Sequence, residues 1–156
     1  MEIQTIRYQK RFQFDIYVDP MIEDILIPPL SLQAFVENSM KYALGKEDCT
    51  KIQIDIRSFE RDYFPYAEIT MRDSGPGYPE EDLQKMNAGE KIVHADGSHI
   101  GISNTIQRLS IRFGSGFSYH FSNENGAVCR YTFPAVFSED ELHPADAVSS
   151  ESIPLE

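Results

Sequence analysis

The sequence contains no tryptophan and only two cysteines, and no apolar run in it approaches the roughly 20 residues that a membrane-spanning helix needs. Cys49 and Cys129 are too few to form a disulfide framework, and neither has a neighbour of the metal-binding type. We therefore expect reduced thiols, and a domain stabilised by an ordinary hydrophobic core rather than by cross-links.

Basic residues are also scarce, with 14 Lys and Arg against 25 Asp and Glu and a net charge of −11. Part of this excess lies in residues 138–156, which contain acids, proline and serine but no Lys or Arg, and which we predict to be a disordered tail. The balance argues against nucleic acid as a partner. It is compatible with one phosphate-bearing ligand, because such a site needs local donors rather than a positive overall charge.

Hydrophobic periodicity predicts an alternation of strands and helices. The predicted strands cover residues 11–18, 51–59, 66–72, 116–121 and 127–133, and the predicted helices cover 31–44, a segment starting at 79, and 102–113. Residues 88–100 contain glycines and polar residues without a period, which indicates a mobile loop. The order predicts an α/β sandwich, with helices on one face of a mixed, mostly antiparallel sheet.

The first predicted helix carries polar residues on the side away from its apolar face. Glu37, Asn38 and Lys41 fall within about 100° of arc, so that a carboxylate, an amide and an ammonium group share one surface. The alternative interpretation is an ordinary solvated face with a Glu37–Lys41 pair, worth only about 0.3–0.5 kcal/mol.

A second pattern, Asp-Ser-Gly-Pro-Gly at residues 73–77, directly follows a predicted strand. Its two glycines allow a sharp turn and a close approach to a flat ligand, and Asp73 at the strand end can accept a hydrogen bond from an exocyclic amine. The alternative is a simple surface turn, since these residues are common in turns.

A third pattern extends from Gly97 to Asn104 and leads a glycine-containing loop into the last helix. Free N–H groups and the dipole at a helix start favour an anion. The alternative is a flexible linker that precedes an ordinary helix.

In this order and spacing, the three patterns resemble the N, G1 and G2 boxes of the GHKL (Bergerat-fold) ATPases. The segments IPPLSLQAFVENSMKYAL and IGISNTIQRLSIRFG look like those of LytS/YesM-type sensor histidine kinases. The resemblance covers about residues 12–134. It implies a Bergerat ATP-binding domain at residues 12–137, preceded at 1–11 by the remnant of a linker and followed by the acidic tail.

The resemblance implies roles for four residues of the first helix. Asn38 would ligate Mg²⁺, an ion that takes few protein ligands and completes its octahedron with phosphates and water. Glu37 would be the base or polarising group toward the nucleophile. Lys41 would lie near the phosphates, and Tyr42 would line the nucleotide cleft.

It also implies roles for residues of the two glycine-containing patterns. Asp73 would receive the adenine amino group, and Gly75 and Gly77 would let the chain pass close to the base. Gly97 and Gly101 would meet the phosphates, at the end of an ATP lid formed by residues 88–100.

The sequence departs from the family pattern at two positions. His99 stands where the last box has its second glycine, although Gly101 and Asn104 are retained. Ala127 stands where the family often has a threonine near adenine, so we expect no hydroxyl contact there.

The function implied is transfer of the ATP γ-phosphoryl group to a histidine, by positioning and Mg²⁺ charge neutralisation. None of the four histidines lies on an amphipathic helix of the acceptor type. The acceptor is therefore expected on a helical dimerisation domain of the same homodimeric protein, a cytoplasmic-membrane sensor that acts on a response regulator. The catalytic domain itself would be cytoplasmic and monomeric. The alternatives are an anti-sigma-factor-like serine kinase and a non-catalytic nucleotide-binding module.

Overall fold

A computed structural model describes residues 3–8, 12–42, 49–90, 92 and 100–138. The strands are β1 (Ile3–Tyr8), β2 (Phe12–Val18), β3 (Thr50–Arg61), β4 (Phe64–Asp73), β5 (Ser118–Asn123) and β6 (Ala127–Pro134), and the helices are α1 (Gln33–Tyr42), α2 (Glu80–Asn87) and α3 (Ile100–Phe113). Short 3₁₀ turns occur at Pro20–Ile22 and Gly114–Gly116. None of the helices within these ranges has the length and apolar character needed to cross a membrane.

The strands form one sheet in the order β1-β2-β3-β4-β6-β5. Only the pairing of β2 with β3 is parallel among these strands, and the other four pairings are antiparallel. Parallel neighbours need a crossover connection, and α1 lies in the one that joins β2 to β3. The predicted mixed, mostly antiparallel sheet is confirmed.

One face of the sheet forms the core with the helices. Ile54 of β3 lies opposite Met71 of β4, and Met71 lies opposite Cys129 of β6, so the three side chains share a face. All three are buried. On the same face, Phe133 stacks on Phe113 of α3 with ring centroids 4.8 Å apart. The period-2 alternation predicted from the sequence therefore places its apolar residues under the helices.

The opposite face of the sheet is polar. Arg130 of β6 pairs with Glu68 of the neighbouring β4, with an Nε–Oε1 distance of 3.6 Å. Farther along the sheet, the guanidinium of Arg57 lies 5.7 Å from the ring centroid of Tyr17. These partly exposed pairs contribute little to stability, but they show which face is solvated.

Strand β5 is an edge of the sheet that is covered by α2. The side-chain amide of Asn87, the last residue of α2, donates to Phe121 O and accepts from Phe121 N, each at 2.8 Å. Both backbone groups point away from β6, and one asparagine satisfies both of them.

The structure differs from the sequence prediction at both ends of the sheet. Residues 1–11 were assigned to a linker and no strand was predicted there, whereas Ile3–Tyr8 pairs with β2. The segment is short and each of its two faces mixes polar and apolar residues, so its periodicity does not predict a strand. The strand predicted at 116–121 begins instead at Ser118, because Gly114–Gly116 forms a 3₁₀ turn.

Candidate functional site

Asp73 is the last residue of β4 and lies next to the start of the neighbouring strand β6. Ser39 Oγ of α1 donates to its Oδ2 at 2.7 Å. The backbone N–H groups of Gly75 and Ala127 both donate to its Oδ1 at 2.9 Å. A carboxylate has about four acceptor positions. Donors among the described residues occupy three of them, so one position on Oδ2 is left for a ligand.

The turn before β6 is closely fitted to Asp73. Gly126 has a φ of 141°, and a Cβ at this position would lie 1.9 Å from the Asp73 carbonyl oxygen and 3.0 Å from its Oδ1. Only glycine fits this contact. The close approach brings the N–H of Ala127 to the carboxylate, so the β5–β6 turn is part of the site.

The loop that follows Asp73 is fastened to β5. The side-chain amide of Asn123 accepts from Tyr78 N and donates to Tyr78 O, each at 2.8 Å. Gly77 has a φ of 82°, and a Cβ there would lie 2.6 Å from Asn123 Oδ1. The close approach that the structure shows at Gly77 is therefore to Asn123.

The residues below this loop are buried and uncharged. Tyr78 packs edge-on against Phe121, with ring centroids 5.8 Å apart. Burial raises the pKa of the Tyr78 hydroxyl well above its usual value, and the nearby Cys129 and Asp73 add to the shift. Burial also raises the pKa of the Cys129 thiol and of the Tyr131 hydroxyl. All three groups are therefore neutral near pH 7.

Helix α1 places Glu37, Asn38 and Lys41 away from its buried face. It buries Phe35 and Ser39, while Asn38 is half-buried and Glu37 is exposed. Glu37 Oε1 accepts a hydrogen bond from Gln33 Nε2 at 2.5 Å. One turn later, the two other expected residues of this helix lie together on its surface.

Those two residues are Lys41 and Tyr42, both exposed. The Lys41 Nζ lies 5.0 Å from the centroid of the Tyr42 ring, within the range of a cation–π contact. Both side chains are exposed at the surface of the domain, which suits groups that would contact a ligand there.

The described residues include no cluster of three or more His, Cys, Asp or Glu that could hold a metal ion. Asn38 offers one amide oxygen on the polar face of α1. This donor set fits Mg²⁺ that arrives with phosphate oxygens and water as its other ligands, and does not fit a site built from protein carboxylates.

Helix α3 approaches α1 at its first turn. A Cβ on Gly101 would lie 3.3 Å from Ala34 Cβ, so this glycine allows the two helices to pack closely. Asn104 is exposed, at the rim of a cavity of about 530 Å³ between α2, α3 and β5, whose lining includes Met86 and Ile106. Gly97, His99 and most of the predicted lid lie outside the described residues.

Three residues that build the site were not predicted as site residues. Ser39 lies among the apolar residues of the first helix in the helical spacing, and a hydroxyl at such a position is a signal that could have identified it. Asn123 and Gly126 form the Asn-Glu-Asn-Gly turn between the last two strands, a typical turn sequence. Their contacts with Tyr78 and Asp73 join residues far apart in the chain.

Comparisons with known proteins identify the family of this chain. Residues 30–136 match the family described as Histidine kinase-, DNA gyrase B-, and HSP90-like ATPase. The chain is 32% identical to the sensor histidine kinase YesM of Bacillus subtilis over 136 residues, which cover 86% of this chain and 22% of that protein. It is 24% identical to the sensor protein LytS of Bacillus cereus over 144 residues, which cover 90% of this chain and 24% of that protein.

The fold is also that of solved kinase domains. The catalytic domain of the histidine kinase ThkA matches with a TM-score of 0.56 at 18% identity, over 86% of this chain and 97% of that one. A blue-light activated histidine kinase from Erythrobacter litoralis matches with a TM-score of 0.56 at 15% identity, over 84% of this chain and 37% of that one. The chain spans about a quarter of the length of the curated relatives it matches. With its family match covering most of its length, the chain belongs to the family of Histidine kinase-, DNA gyrase B-, and HSP90-like ATPases.

Proposed function

We propose that this chain is the ATP-binding catalytic domain of a two-component sensor histidine kinase, and that it transfers the γ-phosphoryl group of ATP to a histidine on a separate domain. The observation that carries this proposal is the Asp73 carboxylate, which three donors hold at the sheet edge with one acceptor position left. An exocyclic amine of adenine supplies the single N–H donor that this position needs.

The hydrogen bond from Ser39 to Asp73 places α1 beside the end of β4. The polar face of this helix therefore lies at the same end of the domain as Asp73. Asn38 would hold Mg²⁺, whose charge would offset that of the phosphates. Glu37 would accept the proton of the nucleophile, which its exposure permits. Lys41 would compensate phosphate charge as a mobile cation.

Gly97 and Gly101 would meet the phosphates, with Asn104 of α3 close by, and residues 88–100 would form the lid over the nucleotide. Tyr42 would line the cleft, and Gly75 and Gly77 would pass close to the base. In this proposal the catalytic domain extends over residues 12–137, with β1 added to its sheet by pairing with β2, and the acidic tail follows it.

The phosphate acceptor would belong to a helical dimerisation domain of the same full-length protein. The relatives named LytS and YesM are sensor proteins about four times as long as the part that matches this chain. The complete protein would be a homodimeric sensor of the cytoplasmic membrane that passes phosphate to a response regulator, with this domain in the cytoplasm.

The binding half of the proposal is tested by the nucleotide preference of Asp73→Asn. Guanine presents a carbonyl oxygen where adenine has its amine, so wild type should prefer ADP to GDP at least about tenfold, as expected for ~1.4 kcal/mol. In the variant, the amide oxygen can still accept from Gly75 and Ala127, which places the amide nitrogen at the ligand position. Calorimetric titration should show that most of the preference is lost, and an undiminished preference would contradict the role of Asp73.

The transfer half is tested with γ-labelled ATP and the helical acceptor domain supplied as a separate chain. Acid-labile label should appear on its histidine and not on this chain. Label on a serine would indicate a serine kinase, and binding without transfer would indicate a regulatory module.

A further inference from the structure

Ser39 is buried in an unusual setting for a serine within a helix. It is 3% exposed and lies on the face of α1 that packs against the sheet. A buried hydroxyl in a helix commonly bonds to a backbone carbonyl of the preceding turn. The Ser39 hydroxyl instead donates to Asp73 Oδ2, 34 residues farther along the chain, at 2.7 Å.

This hydrogen bond determines how the carboxylate is oriented. The N–H groups of Gly75 and Ala127 hold Oδ1, but hydrogen bonds tolerate a range of angles, so these two donors alone allow small rotations of the carboxylate and leave Oδ2 without a donor. The Ser39 donor holds the second oxygen from another element of the fold. With both oxygens held, the remaining acceptor position on Oδ2 has one direction.

We propose that Ser39 is a positioning residue for base recognition: its hydroxyl orients Asp73 so that a single acceptor position faces the exocyclic amine of adenine. The inference rests on the proposed function, since it assigns to Ser39 an effect that reaches the nucleotide only through Asp73. Ser39 itself is not expected to touch the ligand.

Removal of the hydroxyl should weaken adenine binding without removing the acceptor. In Ser39→Ala, the carboxylate rotates more freely and water can replace the lost donor, so the ligand must order the group when it binds. An ordering cost of this kind corresponds to a loss of ADP affinity of about three- to tenfold. GDP, which cannot use the acceptor, should lose less, and the ratio of the two affinities should fall.

The test is a double-mutant cycle with wild type, Ser39→Ala, Asp73→Asn and the double variant, titrated calorimetrically with ADP and GDP. We expect Ser39→Ala to lower ADP affinity in the wild-type background and to change it less than about twofold in the Asp73→Asn background. An equal loss in both backgrounds would show that Ser39 acts by packing alone and would overturn the inference.

Ser31→Ala is the matched control, because Ser31 is 4% exposed and its Oγ donates to the Pro28 carbonyl oxygen at 2.6 Å. It also loses a buried serine hydroxyl next to α1, but away from Asp73, and should leave the ADP-to-GDP ratio unchanged. A fall in that ratio as large as the one in Ser39→Ala would overturn the inference.

The cycle also separates this inference from the proposed function. Wild type that does not distinguish ADP from GDP would contradict the adenine site itself. A normal wild-type preference that is lost in Asp73→Asn and unchanged in Ser39→Ala would leave the site in place and refute the role of Ser39.

Discussion

Replacement of Gly126 by alanine should disrupt the site from the backbone side. The added Cβ would lie 1.9 Å from the Asp73 carbonyl oxygen, where real Cβ atoms do not come closer than 3.0 Å. The turn must therefore move by about 1 Å or more, which is enough to break the 2.9 Å hydrogen bond from Ala127 N to Asp73 Oδ1. The free energy of unfolding then falls for two reasons. Residue 126 adopts a strained φ of 141°, and the backbone N–H of Ala127 is left without its acceptor.

The unfavourable φ contributes about 1–3 kcal/mol, and the lost hydrogen bond contributes about 1–3 kcal/mol. Together they amount to roughly 2–6 kcal/mol, a large fraction of the 5–15 kcal/mol that is typical of a domain. Urea unfolding should show this loss as a lower midpoint. ADP affinity should also fall, because the lost hydrogen bond holds Asp73.

The matched control is Gly114→Ala, at another glycine with a positive φ, 53°, and with no atom within 4 Å of the added Cβ. This change should cost only the φ strain of about 1–2 kcal/mol and leave ADP affinity unchanged. If both variants lose the same free energy of unfolding, the contact between Gly126 and Asp73 does not have the importance that we assign to it.

Three further predictions concern single groups. Glu37→Gln should slow phosphoryl transfer by about 10²–10⁴-fold while ATP affinity changes little, and an equal loss of affinity would instead indicate a binding role. Asn38→Ala should abolish the effect of Mg²⁺ on ADP binding, with an unfolding midpoint like that of wild type, because Asn38 lies away from the core; retained Mg²⁺ dependence would exclude it as the ligand. In the folded protein at pH 8, Cys129 should resist alkylation because burial raises its pKa, whereas the partly exposed Cys49 should react, as mass spectrometry can show. The thiol of Cys129 loses its proton near its ordinary pKa of 9.0 in the unfolded protein, whereas it keeps the proton in the folded protein. The contribution of Cys129 to the free energy of unfolding should therefore decrease above this pH.

Local patterns of the sequence predicted the parts of the fold that depend on neighbouring residues. The alternation around Ile54 and Met71 predicted the strands and their buried face, and Asp73, predicted directly after its strand, is the last residue of β4. β1 could not be predicted, since it is short, each of its faces mixes polar and apolar residues, and its pairing is with β2.

The site could be predicted only in part, for a related reason. The polar face of α1 follows from helical spacing. The bonds that hold Asp73 come from Ser39 and Ala127, which are 34 and 54 residues away, and no local period indicates such contacts. The same is true of Asn123 and Tyr78, which are 45 residues apart.

The amide of Asn87, which bonds both backbone groups of Phe121, limits the side on which the sheet could pair with a further strand. An incoming strand needs free N–H and C=O groups on an edge, and at this point of β5 both are already bonded to a side chain. Among the described strands, β1 forms the opposite edge, with β2 as its one neighbour. If another segment extends the sheet by strand addition, it should therefore do so beside β1, on the far side of the sheet from α2.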